Sequence, residues 1–408
     1  MAEAWLEATG KLWKGVVVYM NIKLKLLFHC PNISILRKGV SKLRVCCLKG
    51  RLLPDSVLQN AEADKSMKSK IVREFLKKGN PRCLRVESLA ELIVKSHYAG
   101  LSEEEQKDIF DDVIFCFIAY GFEPDEYFFF YLKDKGMEER KSYVSDVDRN
   151  IYLMQMNDIC QGEVFMNKSK TYQFFQKYYK RDAVAINRHS NYDAFQSFVQ
   201  KHPVFVKKRV DLSKGDGIEA VDIKNIGMPM REYFDRLRIS NDYQLEEKIN
   251  QSKIMEALNE SSVNTIRCNA FVTRHGVRVP FAFLKVGRKG AFVDNGGKGG
   301  ILVGIDEKAG ILNTDGMDES GIQYAMHPDN GIKFKGYRMP DWEGCLKLCK
   351  EITPMVKGVK AIGWDLAHTD CGWVIVEGNL FSQFIGPQMT KQRGMKKEWL
   401  AVMGDMEL

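Results

Sequence analysis

The spacing of apolar residues along this chain changes near residues 158–166. From residue 66 to this point, apolar residues recur every three or four positions, which is typical of amphipathic helices. After residue 167, short runs that alternate apolar and polar residues are separated by segments of helix length. The pattern therefore predicts a mainly helical region, then a region of mixed helices and strands, with a domain boundary near the change.

The clearest helix signal lies in the first region. Ser102 and Glu105 form an S-x-x-E capping box, and Ile109 begins an apolar face behind it. Gly121 follows that face and is expected to end the helix. We expect the aromatic run at residues 128–131 to belong to the core rather than to a surface that stacks on bases.

The second region predicts short strands between helices. We expect helices at residues 171–179, 191–201 and 342–355, and strands at residues 184–186, 203–208, 217–223, 244–249, 267–273, 277–285, 290–294, 361–367 and 373–378.

The last two strands carry the strongest candidate chemistry. A three-residue loop centred on Cys371 would place Asp365 opposite Glu377, and period two puts Asn379 on the same face as Glu377. Two facing carboxylates repel each other unless one is protonated or a cation bridges them. Two carboxylates and an amide oxygen suit Mg²⁺. The alternative is that these are polar residues at strand ends on a solvated face.

The composition limits the class of protein. The chain has 408 residues, of which 45% are hydrophobic and 28% charged, as in soluble proteins of two or three domains. The net charge of +8, with an early excess of Lys and Arg, suits an anionic partner such as a nucleotide, a lipid headgroup, a phosphorylated sugar or a nucleic acid. The pattern of residues 1–60 leaves two alternatives: an amphipathic surface that contacts a membrane, or one or two basic helices that fold onto the next domain. Arginine and aromatic residues are not interleaved beyond this stretch, which argues against nucleic acid.

The expected location is the cytoplasm. Glu3 stands where a signal peptide would have a basic region, and the apolar run at residues 16–20 is too short to span a bilayer. The ten cysteines include no C-x-x-C pair and no Cys/His cluster at zinc spacing. Cys345 and Cys349 lie one helical turn apart, which favours helix packing over ligation. We therefore expect reduced thiols. If residues 1–60 form the amphipathic surface rather than helices folded onto the next domain, this basic segment would contact the inner face of the membrane peripherally.

Two motifs in the second region suit an anionic nucleotide. Gly215 and Gly217 lie in a turn after the predicted strand at 203–208, where backbone amides could face phosphate, and Lys207 near the strand end adds a positive charge. Such turns also simply close hairpins. Glu246 and Glu247 lie in an extended segment that could contact an adenine edge and ribose hydroxyls, or form a solvated acidic pair on a surface strand.

Two further motifs suit a substrate. Arg267 is a candidate for bidentate recognition of carboxylate or phosphate, and Asn264 precedes it at the same strand start. Asp294 and Asn295 flank a glycine-rich loop around Lys298 that could surround an anion. This loop lacks the order of residues of a P-loop.

In this order the motifs resemble one family. The sequence is similar to ATP-grasp enzymes, and the segments HPVFVKK…GDG, YQLEEKI, SSVNTIR, VDNGGKGG and IGWDLA…WVIVEGN resemble its sugar-transfer-associated branch. The segment AYGFEPDEYFFFYL is similar to what precedes the nucleotide domain in that branch. The resemblance covers about residues 110–390 and implies an α+β ATP-grasp fold, in which two lobes hold ATP, behind a mainly helical N-terminal region.

The resemblance implies a division of the chain. We expect a basic amphipathic segment at residues 1–60, a mainly helical accessory domain at 61–160, a nucleotide-binding lobe at 161–250, a catalytic and metal-binding lobe at 251–395, and a tail at 396–408.

It also implies roles for single residues. The nucleotide-binding positions matched are Lys168 (with Lys170 as the alternative) and Lys207 for the phosphates, Gly215 and Gly217 for a mobile flap, and Glu246, Glu247 and Ile249 for adenine and ribose. Asp365, Glu377 and Asn379 match the Mg²⁺ ligands. Arg267 matches the arginine that stabilises the transferring phosphoryl group or the tetrahedral intermediate, and Asn264, Asp294, Asn295 and Lys298 are the candidates for substrate contact. The chain departs from the family where Lys208 and Arg209 follow Lys207, since related proteins often have proline after the lysine.

The implied activity is an ATP- and Mg²⁺-dependent ligase that joins a carboxylate to an amine through an acyl phosphate. Its substrates would be small molecules, sugar-linked or amino acids, in bacterial surface polysaccharide (capsule) biosynthesis. One alternative is a kinase that phosphorylates a glycan or lipid hydroxyl. Another is a non-catalytic nucleotide-binding protein at the membrane surface, against which the complete Asp365, Glu377 and Asn379 set argues.

Overall fold

The described residues fold into two compact units. A computed structural model describes residues 34–212, 217–294 and 296–406. One unit, here the helical unit, comprises residues 34–160 and 383–404, and the other, here the two-sheet unit, comprises residues 161–382 and 405–406. No helix of the described residues combines the length and the apolarity that crossing a bilayer requires.

The helical unit follows from its apolar periodicity. Its helices before residue 160 are α1 (Ser34–Lys49), α2 (Asp55–Ala63), α3 (Lys65–Leu76), α4 (Pro81–His97), α5 (Glu103–Ala119), α6 (Pro124–Phe129), α7 (Met137–Ser142) and α8 (Asp146–Met156). The capping box is confirmed, because Ser102 and Glu105 exchange hydrogen bonds at the start of α5. Gly121, with φ of 79°, ends that helix as predicted. Phe130 is fully buried, as expected for core.

A buried ionic network ties α2, α3, α5 and α7 together; we call it the helical network. Arg140 contacts Asp112 with both terminal nitrogens, at 2.6 and 3.0 Å. Lys68 bridges Asp112 at 3.0 Å and Glu62 at 3.1 Å. The Tyr127 hydroxyl donates to Asp112 at 2.9 Å. Every carboxylate of this network therefore has at least one cationic partner within the unit.

The two-sheet unit begins with α9 (Lys168–Tyr179) and an antiparallel four-stranded sheet. Its strands are β1 (Ala183–Ile186), β2 (Val204–Arg209), β3 (Ile218–Asp222) and β4 (Tyr243–Glu247), in the order β1-β4-β2-β3. Helices α10 (Tyr192–Lys201) and α11 (Met230–Ser240) share an apolar core with Phe205 and Leu245 on one face of this sheet. By period two, Lys208, Gln244 and Glu246 lie on the opposite face.

The second sheet is a seven-stranded antiparallel sheet. Its strands are β5 (Thr265–Thr273), β6 (Gly276–Val286), β7 (Ile301–Asp306), β8 (Ile311–Asp318), β9 (Gln323–Tyr324), β10 (Ala361–Thr369) and β11 (Gly372–Asn379), in the order β11-β10-β5-β6-β7-β8-β9. The helices within this part are α12 (Lys253–Leu258) and α13 (Trp342–Ile352). One face packs its apolar side chains, including Ile266, Trp364 and Leu366, into a core with α13. The other face carries the polar residues described below.

The predicted strand at residues 290–294 is wrong. Gly290 has φ of 80° in a turn, and the Asp294 carboxylate accepts a hydrogen bond from the Thr265 backbone N–H at 3.0 Å. Both features hold this segment as a loop. Strands β7 to β9, which follow it, were not predicted.

The β10–β11 hairpin reaches the predicted register by another route. Asp365 does lie opposite Glu377, but Thr369 pairs with Gly372, so the loop contains only Asp370 and Cys371. A β-bulge at Val376 adds the missing residue and restores the register. The prediction of facing carboxylates is confirmed, and the predicted three-residue loop is wrong.

The last helices, α14 (Ile385–Lys391) and α15 (Lys396–Gly404), belong to the helical unit. The Gln388 amide donates to the Val144 carbonyl at 3.0 Å and accepts from the Val144 N–H at 2.8 Å. Trp399 packs edge-on against Phe384 at 4.3 Å. These contacts explain why residues 383–395, placed in the catalytic lobe from the sequence, pack with the helices.

Candidate functional site

A row of charged residues crosses the polar face of the seven-stranded sheet. Asp365 on β10 lies between Glu377 on β11 and Arg267 on β5. Arg267 donates to the Asp365 carboxylate through Nε at 2.5 Å and Nη2 at 2.8 Å, and Lys285 Nζ lies 3.1 Å from the same group. Burial alone would raise the pKa of Asp365, but Arg267 and Lys285 outweigh it and lower the pKa to about 2. Asp365 is therefore ionised and held in place by two cations.

Glu377 and Asn379 have oxygen atoms with fewer partners. The Glu377 side chain is 37% exposed, and its one ion pair within the described residues is a 3.7 Å contact with Lys168 Nζ. Asn379 Nδ2 lies 3.4 Å from Asp365, so the amide oxygen is not used in that contact. Two carboxylates and an amide oxygen on neighbouring strand positions suit a hard divalent cation such as Mg²⁺. The residues present therefore fit the metal that the sequence predicts.

Gly363 makes room for a second polar group beside Arg267. A Cβ at this position would clash with Ser382 Oγ and would lie 3.1 Å from Arg267 Cδ. Arg267 Nη1 donates to Ser382 Oγ at 3.1 Å, and Ser382 donates to Asn269 Oδ1 at 3.0 Å. Asn269 Nδ2 is buried and has no hydrogen-bond partner within the part of the chain that the structure describes. A buried donor that lacks a partner indicates a group that a ligand could satisfy.

The two predicted substrate residues Asp294 and Asn264 lie in different surroundings. Asp294 is buried beside Lys285, at 3.8 Å, and burial raises its pKa. The Asn264 amide is used internally, because Nδ2 donates to the carbonyls of Met255 and Asn259 at 2.7 and 2.9 Å. The structure thus brings Asp294, but not the Asn264 side chain, to the charged row.

Two predicted positions in the glycine-rich loop fall outside what the structure describes. These are Asn295 and the side chain of Lys298.

On the four-stranded sheet, Lys208 rather than Lys207 faces the polar side. Lys208 Nζ contacts Glu246 at 2.8 Å, and Arg181 Nη2 contacts the same carboxylate at 2.6 Å. Lys207 lies on the opposite face, paired with Glu219 and 5.1 Å from the Tyr243 ring centroid. Period two explains this difference, because Lys207 shares its face with the core residue Phe205.

The remaining nucleotide candidates occupy different environments. Glu246 is buried, and although burial would raise its pKa, Arg181 and Lys208 lower it to about 2. Glu247 lies on the other face, where it accepts from the Asp182 N–H at 3.0 Å. Ile249 follows the end of β4. Gly217 has φ of 67°, as a tight turn requires, and Gly215 lies outside the described residues.

The first two residues of helix α9, Lys168 and Ser169, connect the two sheets. Lys168 at the start of α9 contacts the Leu212 carbonyl beyond β2 as well as Glu377. Ser169 donates to Gln244 Oε1 at 2.6 Å, while Gln244 Nε2 is buried and finds no partner in the described chain. Lys170, the alternative to Lys168, pairs with Glu163 at 2.6 Å. Lys168 is therefore the lysine that the structure brings to both sheets.

Six residues of these two polar faces were not among the predicted site residues. They are Arg181, Lys208, Gln244, Asn269, Lys285 and Ser382. Alternation from Phe205 could have indicated Lys208. Gln244 lies within the YQLEEKI segment, two residues before Glu246. Arg181, Asn269, Lys285 and Ser382 lie outside the motifs quoted above.

Comparison with known proteins assigns the family. A model of the family described as sugar-transfer associated ATP-grasp matches residues 148–403, which is more than half of the chain. No match was found among curated proteins.

The comparison with solved structures finds ATP-grasp ligases of low similarity. The D-alanine-D-alanine ligase from Coxiella burnetii has a TM-score of 0.36 and 10% identity, over 60% of this chain and 57% of that chain. The ATP-grasp ligase PsnB, complexed with minimal precursor, Mg and ADP, has a TM-score of 0.38 and 11% identity, over 66% of this chain and 69% of that chain. This chain thus spans little more than half the length of the Coxiella enzyme. Through the match to the family model, which confirms the resemblance seen in the sequence, the chain belongs to the sugar-transfer associated ATP-grasp family.

Proposed function

We propose that this protein is an ATP- and Mg²⁺-dependent ligase that joins a carboxylate to an amine through an acyl phosphate. One observation carries the proposal most directly: Arg267, Lys285 and Lys168 surround the Asp365 and Glu377 carboxylates on one sheet face. Such a set can hold anionic reactants while keeping their charges balanced.

The polar face of the four-stranded sheet is the proposed nucleotide surface. Lys208, together with Lys168, would contact phosphate oxygens, and the Gln244 amide offers a donor that has no partner among the described residues. The segment after β4, through Ile249, would contact adenine with its backbone. Glu246 would act on the nucleotide through Lys208, because Arg181 and Lys208 already bind its carboxylate.

Glu377 and Asn379 would hold Mg²⁺, with Asp365 beside them. When bound, Mg²⁺ would offset phosphate charge that repels an incoming carboxylate. Asp365 keeps Arg267 oriented, since two of the guanidinium nitrogens contact it.

Arg267 Nη1 and Asn269 Nδ2 are the proposed contacts of the substrate carboxylate. A carboxylate oxygen bonds to the γ-phosphorus of ATP as the bond to ADP breaks. The amine nitrogen then bonds to the acyl carbon, phosphate leaves, and the amine loses a proton. Arg267 would stabilise the oxyanion that forms on the acyl oxygen.

The finer assignments are also proposals. The family description supports a sugar-linked substrate in surface polysaccharide biosynthesis, and the basic N-terminal region supports a peripheral membrane contact. Small-molecule carboxylates and amines, and not nucleic acid, are the proposed partners.

The experiment that tests the function is trapping of the acyl phosphate. The full-length protein is incubated with Mg²⁺, ATP, hydroxylamine and pools of amino acids or uronic acids, and both ADP and hydroxamate are measured. We expect hydroxamate and ADP in equal amounts from the pool that contains the substrate, because hydroxylamine replaces the amine.

The matched variants are Glu377→Gln in the site and Glu351→Gln in an exposed pair with Lys177. Glu377→Gln should form hydroxamate roughly 10³-fold more slowly than the wild type, and Glu351→Gln should form it at the wild-type rate. ADP formed with a stable phosphorylated product and no hydroxamate would instead identify a kinase. Equal hydroxamate from both variants would contradict the proposed site.

A further inference from the structure

Three cysteines, from one strand and one helix, meet in the core of the two-sheet unit; we call them the thiol cluster. They are Cys268 on β5 and Cys345 and Cys349 on α13. All three are fully buried, and their sulfur atoms lie within 4.8 Å of one another. The Sγ atoms of Cys268 and Cys345 are 3.8 Å apart.

Secondary structure accounts for the meeting. Cys345 and Cys349 are four residues apart, so they lie on the same face of α13. Cys268 follows Arg267 on β5, and period two turns its side chain away from the charged row and into the core against α13. The sequence spacing alone, which favoured helix packing, could not include the third thiol because it lies 77 residues away.

We propose that the thiol cluster binds one thiophilic metal ion of the Cu(I) class through its three sulfur atoms. Three sulfurs bound to one ion at about 2.3 Å each lie about 3.8–4.0 Å apart, and the Cys268–Cys345 separation already meets this value. The third sulfur needs a shift of at most about one ångström, which a cysteine χ1 rotation of a few tens of degrees provides.

The surroundings select the type of metal. Among the described residues, the three cysteines are the only His, Cys, Asp or Glu side chains grouped at this position. The same core contains Leu348, Ile352 and Ile362, which offer no ligand atom. Structural zinc takes four ligands, and calcium and magnesium take oxygen, whereas soft thiolates favour Cu(I). A monovalent ion in three-sulfur coordination therefore fits both the ligand count and the ligand chemistry.

Binding should release protons. The contact with Cys345 and burial raise the pKa of the Cys268 thiol, and burial raises the pKa of the Cys345 thiol. Metal ligation requires thiolates, so affinity should increase with pH. The geometry of the three sulfurs, rather than this titration, carries the proposal.

The test is uptake of Cu(I) by the reduced full-length protein. The protein is mixed anaerobically with Cu(I) in the presence of a competing Cu(I) chelator and then desalted, and copper is counted per chain. We expect one copper per chain in the wild type, with X-ray absorption that shows three sulfur neighbours at about 2.2–2.3 Å. The bound ion should also raise the melting temperature, because it binds the folded state.

The matched variants are Cys345→Ala and Cys349→Ala, with Cys116→Ala as the control for a buried cysteine in the helical unit. The first two should retain less than a tenth of the wild-type copper, and the control should retain all of it. If a variant fails to fold, the absorption spectrum of the wild type decides.

Three outcomes would overturn the proposal. These are a wild type that loses all copper to the chelator, full retention by a folded Cys345→Ala protein, and a spectrum with nitrogen or oxygen neighbours. A Cys268–Cys345 disulfide in the freshly isolated protein, with no copper uptake after reduction, would identify a redox pair instead.

Discussion

The helical network and the charged row of the two-sheet unit use the same chemistry and differ in what they leave without a partner. In the helical network, Asp112 has two cations and a tyrosine hydroxyl around it. In the charged row, two cations also hold Asp365, but Glu377 beside it is partly exposed, and Asn269 has a buried donor with no partner in residues 34–212, 217–294 and 296–406. A buried ion pair by itself is weak evidence of function. The proposed site therefore differs from the helical network in its unused donors and acceptors among the described residues, and not in its ion pairs.

The largest expected effects come from removing the central carboxylate of each cluster. Asp112→Asn and Asp365→Asn each leave two cations without their main partner, which should lower the free energy of unfolding by about 3–5 kcal/mol. Denaturant unfolding measures both. Only Asp365→Asn should abolish hydroxamate formation at a temperature where both proteins remain folded. Loss of activity in both variants, or in neither, would remove the distinction between the clusters.

The next largest effect distinguishes Lys208 from Lys207, which lie on opposite faces of the four-stranded sheet. Lys208→Met should raise KM for ATP about tenfold, since one phosphate contact of about 1.4 kcal/mol is lost. Arg181 still pairs with Glu246 in this variant, so the protein should fold. Lys207→Met, on the core face and paired with the exposed Glu219, is the control and should leave KM for ATP unchanged. Steady-state kinetics of ADP release distinguish the two lysines, and the reverse order would restore the original assignment of Lys207.

A smaller effect tests the space at Gly363. Gly363→Ala should displace Ser382 and the Arg267 side chain, and lower kcat/KM for the carboxylate by several-fold to tenfold. Adding Ser382→Gly removes the side chain that the new methyl meets, so the double variant should recover part of the loss. Unchanged kinetics in Gly363→Ala would mean that the contact between Arg267 and Ser382 does not position the substrate.

The smallest effect concerns pH. The pKa of Asp365 is about 2 in the folded protein and near its ordinary value of 3.8 when unfolded. Its stabilising contribution is therefore complete above about pH 4 and is lost as the pH falls toward 2. Urea unfolding between pH 6 and pH 2.5 should show this decline in the free energy of unfolding. In Asp365→Asn, the slope of that free energy against pH should be smaller by the equivalent of up to one bound proton. An identical slope in the variant would show that other carboxylates account for the acid sensitivity.

Local patterns in the sequence predicted part of this organisation. Alternation in β10 and β11, combined with a loop predicted one residue too long, placed Asp365 opposite Glu377, because the bulge at Val376 supplies the residue that the two-residue turn lacks. The capping box of α5 was equally local. The strand expected at residues 290–294 failed because a turn glycine and the Asp294 side chain, bound to Thr265, overrode the short apolar run.

Pairings between distant segments could not be predicted. The pairing of β1 with β4 brings Arg181 to Glu246, the seven-stranded sheet brings Lys285 to Asp365, and no neighbouring residue marks either cation. The thiol cluster is similar, since a strand and a helix that are 77 residues apart supply its members. Lys208 is a different case: strict alternation from the buried Phe205 would have distinguished it from Lys207.

The bulge at Val376 has a consequence for how this hairpin tolerates change. Eleven residues separate Asp365 from Glu377, and a two-residue turn with a bulge spans them as well as a three-residue turn without one. The turn can therefore lengthen from two residues to three without any insertion, provided that the strand becomes regular at Val376. Such a change in the turn is absorbed within β11, and Asp365 stays opposite Glu377.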